Sequence, residues 1–74
     1  MMTAITLQEI QQDAVIESTT QCARAGQLFR IWNGELYPET ITALEALDIT
    51  VVPNTQAADP TKQYVFYNIQ ELNK

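Results

Sequence analysis

Glu9, Asp13 and Glu17 stand four residues apart, and a helix through them sets the three carboxylates along one side at about 6 Å per step. Such a row could hold a cation or meet the basic surface of a partner protein. On most helices it is simply the solvated face, and like charges four apart cost the helix a few tenths of a kcal/mol each. Catalysis asks for more. The chain has no histidine, the usual general base near neutral pH and a common metal ligand. A Ser-His-Asp or Cys-His nucleophile therefore cannot be assembled from its own residues. Ser18, the sole serine, has no base to activate it. Cys22 is the sole cysteine, and Arg24, two positions on, falls on a different side of a helix. Burial as a small apolar side chain suits Cys22 better. Gly26 and Gly34 are the only glycines, which excludes a Gly-rich phosphate loop, and no calcium-loop spacing is present. These residues point to no enzyme, no cofactor and no metal site.

A second constellation is Arg30, Trp32 and Tyr37, the three residue types most enriched at binding hot spots. They flank Asn33-Gly34, and Asn-Gly between β-prone runs is a strong hairpin signal, because a type I′ turn needs positive φ at both positions. A two-residue loop pairs Trp32 with Glu35, Ile31 with Leu36 and Arg30 with Tyr37. Alternation then gathers Phe29, Ile31 and Leu36 on one face, and Leu28, Arg30, Trp32, Glu35 and Tyr37 on the other. If helices cover the first face, the second points at solvent or at another chain, and Tyr64 and Phe66, which alternation sets opposite Val65 and Tyr67, extend it if the last strand lies beside the hairpin. The alternative is that a helix covers this face instead, or that Trp32 completes the core.

The elements that must position these groups are legible along the chain. Thr6-Leu7-Gln8-Glu9 matches a capping box, with Ile5 and Ile10 placed as a hydrophobic staple. The helix begun there puts Leu7, Ile10, Ala14, Ser18, Cys22 and Ala25 on one broad face and meets Gly26 as its stop. Ser18-Thr19-Thr20 are poor helix formers, so the helix either breaks near Glu17 or runs on to Ala25. Pro38 suits a helix start, and Ile41, Leu44 and Leu47 form the apolar stripe of a helix over 38–47, with a later start left open by a second capping-box match at Thr42-Ala43-Leu44-Glu45. Ile49 to Val52 is β-branched and closed by Pro53, the polar stretch 54–62 is a loop, and 63–69 alternates as a final strand. Residues 71–74 read as a frayed tail. The order α-β-β-α-β-β implies a small single α+β domain, with a mostly antiparallel sheet covered by helices on one face.

Composition narrows the partners. Nine acidic and four basic residues leave a net charge of −5, and the cations are scattered, which argues against nucleic acid and against anionic membranes. A neutral or basic protein is the easier partner, although solubility alone accounts for a modest negative charge. No apolar run is long enough to span a bilayer, no signal-peptide pattern opens the chain, and a single cysteine fits a reducing, cytoplasmic setting. The expected role is a non-catalytic protein-binding module. Size and charge suit an inhibitor or accessory factor of the kind that phages and mobile elements carry, one that blocks a nucleic-acid-binding protein. The rival reading is a structural protein that forms a homodimer through Trp32 and Tyr37. A third is a cation or small-ligand binder built on the carboxylate row.

Overall fold

A computed structural model describes residues 6–74. Helix α1 (Leu7–Arg24) is followed by strand β1 (Phe29–Asn33), helix α2 (Pro38–Ala46), strands β2 (Thr50–Pro53) and β3 (Gln63–Tyr67), and a terminal 3₁₀ helix (Ile69–Asn73). The class is α+β with a wholly antiparallel sheet in the order β1-β3-β2. Both outer strands run antiparallel to β3, so α2 carries the chain from one edge of the sheet to the other.

Helix α1 starts as its capping residue requires. Thr6 is extended, and its Oγ1 accepts from the Glu9 N–H at 3.2 Å; Ile5, the expected staple partner, lies outside the described residues. The helix continues unbroken through the weak stretch because the hydroxyls fold back on the preceding turn. Ser18 and Thr19 donate to the Val15 carbonyl at 3.2 and 2.6 Å, and Thr20 donates to that of Ile16 at 2.8 Å. Gly26 then takes φ +88°, and Gln27 donates its N–H to the Cys22 carbonyl, which closes the helix as a Schellman motif. The buried side is not the expected one. Val15, Thr19 and Ala23 face the core, whereas Leu7, Ile10, Ala14 and Ala25 are exposed. At 100° per residue the true inner face is turned by about 150°, some two fifths of a revolution, from the direction that Leu7 and Ile10 define.

The hairpin expected at Asn33-Gly34 does not form. Residues 35–37 are not a strand, and β1 pairs instead with β3, Arg30 opposite Phe66 and Trp32 opposite Tyr64. Gly34 still needs its glycine, with φ +125°, but it ends β1 and donates its N–H to the Lys62 carbonyl. The residues after Gly34 are committed elsewhere. Leu36 is needed in the core, packed with Val15, Leu44 and Phe66, and Tyr37 caps α2. A five-residue ladder with β3 satisfies more backbone than the three pairs a tight hairpin offers. The last strand stops at Tyr67, short of the expected residue 69, and residues 71–74 are not simply a frayed tail: 71–73 continue a 3₁₀ helix begun at the fully buried Ile69, Leu72 packs on the core, and this helix lies against α1.

The connection from β1 to α2 is held by a side chain far away in sequence. Gln11 donates through Nε2 to the Glu35 carbonyl at 2.9 Å, and its Oε1 accepts from the Tyr37 N–H at 2.9 Å and from Thr40 Oγ1 at 3.0 Å. Tyr37 has no side-chain cap to offer α2, so α1 supplies the acceptor. This single amide fixes where the chain turns after β1.

Candidate functional site

Strand alternation makes the two sheet faces chemically different. Arg30, Trp32, Tyr64, Phe66 and Val51 share the face that the helices cover, where Phe66 is fully buried. The opposite face carries Phe29, Ile31, Val52, Val65 and Tyr67, and it is open. Phe29 is 52 %, Ile31 47 % and Tyr67 45 % exposed. The Phe29 and Tyr67 rings, cross-strand partners, tilt together with centroids 6.1 Å apart. Val65, at the middle of the middle strand, is shielded by its neighbours Ile31 and Val52.

The open face ends in a row of amides. Gln63 donates from Nε2 to Asn33 Oδ1, and its Oε1 accepts from Asn54 Nδ2 at 2.6 Å, so one line of side-chain amides joins the end of β1, the start of β3 and the first residue after β2. Beside it, Pro53 at the end of β2 and residues 54–56 of the β2–β3 loop complete a shallow groove of about 400 Å³ over Phe29, Ile31, Val52, Val65 and Tyr67. Among the residues of the three strands, no charged side chain belongs to this face. Further along the same loop, Asp59 titrates below the usual carboxylate range. Its Oδ1 accepts from the Thr61 hydroxyl and then from the Thr61 N–H, while nearby Lys62 adds a smaller favourable charge.

The faces are thus inverted relative to the expectation from the hairpin. Phe29 and Ile31, expected in the core, are outside; Arg30 and Trp32, expected outside, are inside. Tyr64 and Phe66 do share a face with Arg30 and Trp32, as alternation required, but it is the covered one. Arg30 is half-buried. Its Nη1 donates to Ser18 Oγ at 2.6 Å and to Thr19 Oγ1 at 3.3 Å, and its guanidinium lies 5.4 Å from the centre of the Trp32 ring. Arg30 Nε and Trp32 Nε1 are buried with no acceptor among the described residues. Tyr37 is half-buried at the start of α2, and Glu35 is exposed beside it. The expected grouping of Arg30, Trp32, Glu35 and Tyr37 on one outward face is not formed.

Glu9, Asp13 and Glu17 do form a row on the exposed side of α1. Among the described residues the one ion pair is Glu71 with Lys74, at 3.1 Å, so the row is unpaired there. Among the same residues no three acidic or cysteine side chains converge as metal ligands. Cys22 is half-buried at the edge of a groove that also borders Leu28 and Arg30. No described helix is long and apolar enough to cross a membrane.

The residues that sequence reasoning missed are Val52, Val65 and Tyr67. Their signal was the alternation of β3, which sets Val65 and Tyr67 against Tyr64 and Phe66; what it could not give was the partner strand. No family model matches the chain, and no curated protein or solved structure matches it.

Proposed function

We propose that this chain is a non-catalytic protein-binding module that works through the open face of its sheet. The observation that carries the reading is the exposure of Phe29, Ile31 and Tyr67 around Val65 on a face without charge. Scattered exposed apolar residues are ordinary, but a contiguous patch with aromatic members marks a contact surface. A small core strengthens the case. Only eight apolar side chains are buried among the described residues, so a partner over this face supplies burial that the chain lacks. The test is a photo-crosslinking residue at position 31, compared with position 45 on the exposed side of α2, in cells that make the chain. Position 31 should yield discrete polypeptide adducts, of self or of another protein, and position 45 should not. Equal yields at both positions, or none at 31, overturn the reading.

A second reading keeps the inhibitor role, in which carboxylates occupy a groove meant for phosphates. It draws on Glu9, Asp13 and Glu17, all exposed along one side of α1. Replacing the three by Gln should weaken binding to oligolysine, with a loss that shrinks as salt rises. Unchanged binding rejects the electrostatic version.

A further inference from the structure

We infer that the occupant of the open sheet face is a second copy of this chain, which rests on the reading of that face as a contact surface. Charge distribution selects the partner. The chain carries nine carboxylates against four cations, so two copies repel wherever acidic surfaces meet. None of the nine belongs to a strand. Glu9, Asp13 and Glu17 are on the outer side of α1, Glu39 and Glu45 are on α2, and Glu71 is on the terminal 3₁₀ helix. Arg30, the one charged residue in the three strands, turns toward the helices and away from the open face. In the β2–β3 loop, Asp59 is partly offset by Lys62.

The open face is therefore where two copies can meet with little like-charge repulsion. Stacking there leaves the two helical layers, with their acidic rows, on opposite outer sides. A basic partner finds its complement on the helical layer instead, and this face offers such a partner no counter-charge. The chemistry of the face is also self-complementary. Apolar rows meet apolar rows across the roughly 10 Å that separates packed sheets. The amides of Asn33, Gln63 and Asn54 both donate and accept, so they can meet their own kind.

Size sets the strength. Phe29, Ile31 and Tyr67 at about half exposure, with Val52 and the loop rim, give roughly 800–1,000 Å² buried over two copies, below the range of stable specific interfaces and within that of weak, transient ones. The association is expected to be reversible and concentration-dependent, not obligate.

Sedimentation equilibrium of the full chain from about 1 µM to about 1 mM, the range suited to a small interface, should show the mass rising from 8.4 kDa toward twice that value. Ile31→Lys and Phe29→Lys, both at exposed positions, should each move the midpoint at least about tenfold higher; Glu45→Lys should not. Added salt should leave the dimer intact or strengthen it, because no attractive charge pair crosses the contact. Amide shifts on dilution give a readout free of substitutions, and they should cluster at residues 29, 31, 52, 65 and 67. A mass of 8.4 kDa throughout, a dimer that salt dissociates, or dilution shifts centred on α1 would each overturn the proposal. If the chain is monomeric while position 31 still captures a different polypeptide, self-pairing falls and the contact reading stands. A monomer without adducts removes both.

Discussion

Arg30 of β1 reaches across to Ser18 in the middle of α1, Nη1 to Oγ at 2.6 Å, and the bond marks which side of the sheet is inside. The Ser18 and Thr19 hydroxyls each donate a hydrogen bond to the Val15 carbonyl, which leaves their lone pairs free to accept from the guanidinium. A cation thus sits over a helix without a carboxylate, held by hydroxyls and by the face of Trp32.

That arrangement is costly, because Arg30 Nε is buried without an acceptor among the described residues. An unsatisfied buried donor costs about 1–3 kcal/mol, which can exceed what the hydroxyl bonds return. Arg30→Met keeps the apolar stem and removes both the charge and the orphan donor. It should raise unfolding free energy in urea by about 1 kcal/mol. A loss of more than about 2 kcal/mol would mean that the guanidinium contacts are net stabilising.

Gln11 should be among the most sensitive polar positions. Gln11→Ala removes three hydrogen bonds and leaves the fully buried Thr40 hydroxyl and the Tyr37 N–H without their acceptor. The expected cost is about 2–3 kcal/mol by urea unfolding at unchanged slope. Gln11→Glu keeps the acceptor but sets a carboxylate against the Glu35 carbonyl, and should cost less, about 1 kcal/mol. Equal losses for the two variants would rule out the shared-acceptor role.

Asp48 ends α2 at φ +66°, with the Ile49 N–H donating to the Leu44 carbonyl. Glycine adopts this conformation without strain, and a carboxylate at a helix C-terminus opposes the dipole. Asp48→Gly should therefore stabilise by about 0.5–1 kcal/mol, and Asp48→Val should destabilise by at least about 1 kcal/mol. Thermal melts of the pair decide it, since only a conformational cause gives the two opposite signs.

Asp59 titrates low because Thr61 donates to it twice. A folded pKa below the unfolded one stabilises the fold above the ordinary carboxylate range, and that contribution disappears as pH falls through the lowered value. Thr61→Ala should move the Asp59 midpoint up in an NMR titration, toward the ordinary range, and shrink this acid-dependent term. An unmoved midpoint would transfer the cause to the backbone N–H of residue 61, which alanine keeps, and to Lys62.

Local signals proved dependable where local physics decides. Thr6 caps α1, Gly26 stops it and Pro38 opens α2, each by a backbone requirement set within a few residues. Asn33-Gly34 misled because its positive-φ glycine is real, at +125°, yet serves the end of a strand and not a hairpin. The inner side of α1 was hidden for a related reason. Leu7 and Ile10 are the most apolar residues of its first turns, but Gln11, Val15 and Thr19 are the ones with partners, and those partners lie elsewhere in the chain.

From its sequence alone this protein is a small acidic α+β chain without histidine, poor in catalytic groups and cut into elements at definite residues. Tertiary structure decided which face of the sheet is open. Alternation divides β1 into Phe29 and Ile31 against Arg30 and Trp32, and it does not choose between them. The choice came from pairing with β3, which brings Phe66 beside Arg30, and from the Ser18 and Thr19 hydroxyls that receive the guanidinium. Because strand period is two, that one decision turned a whole apolar row outward.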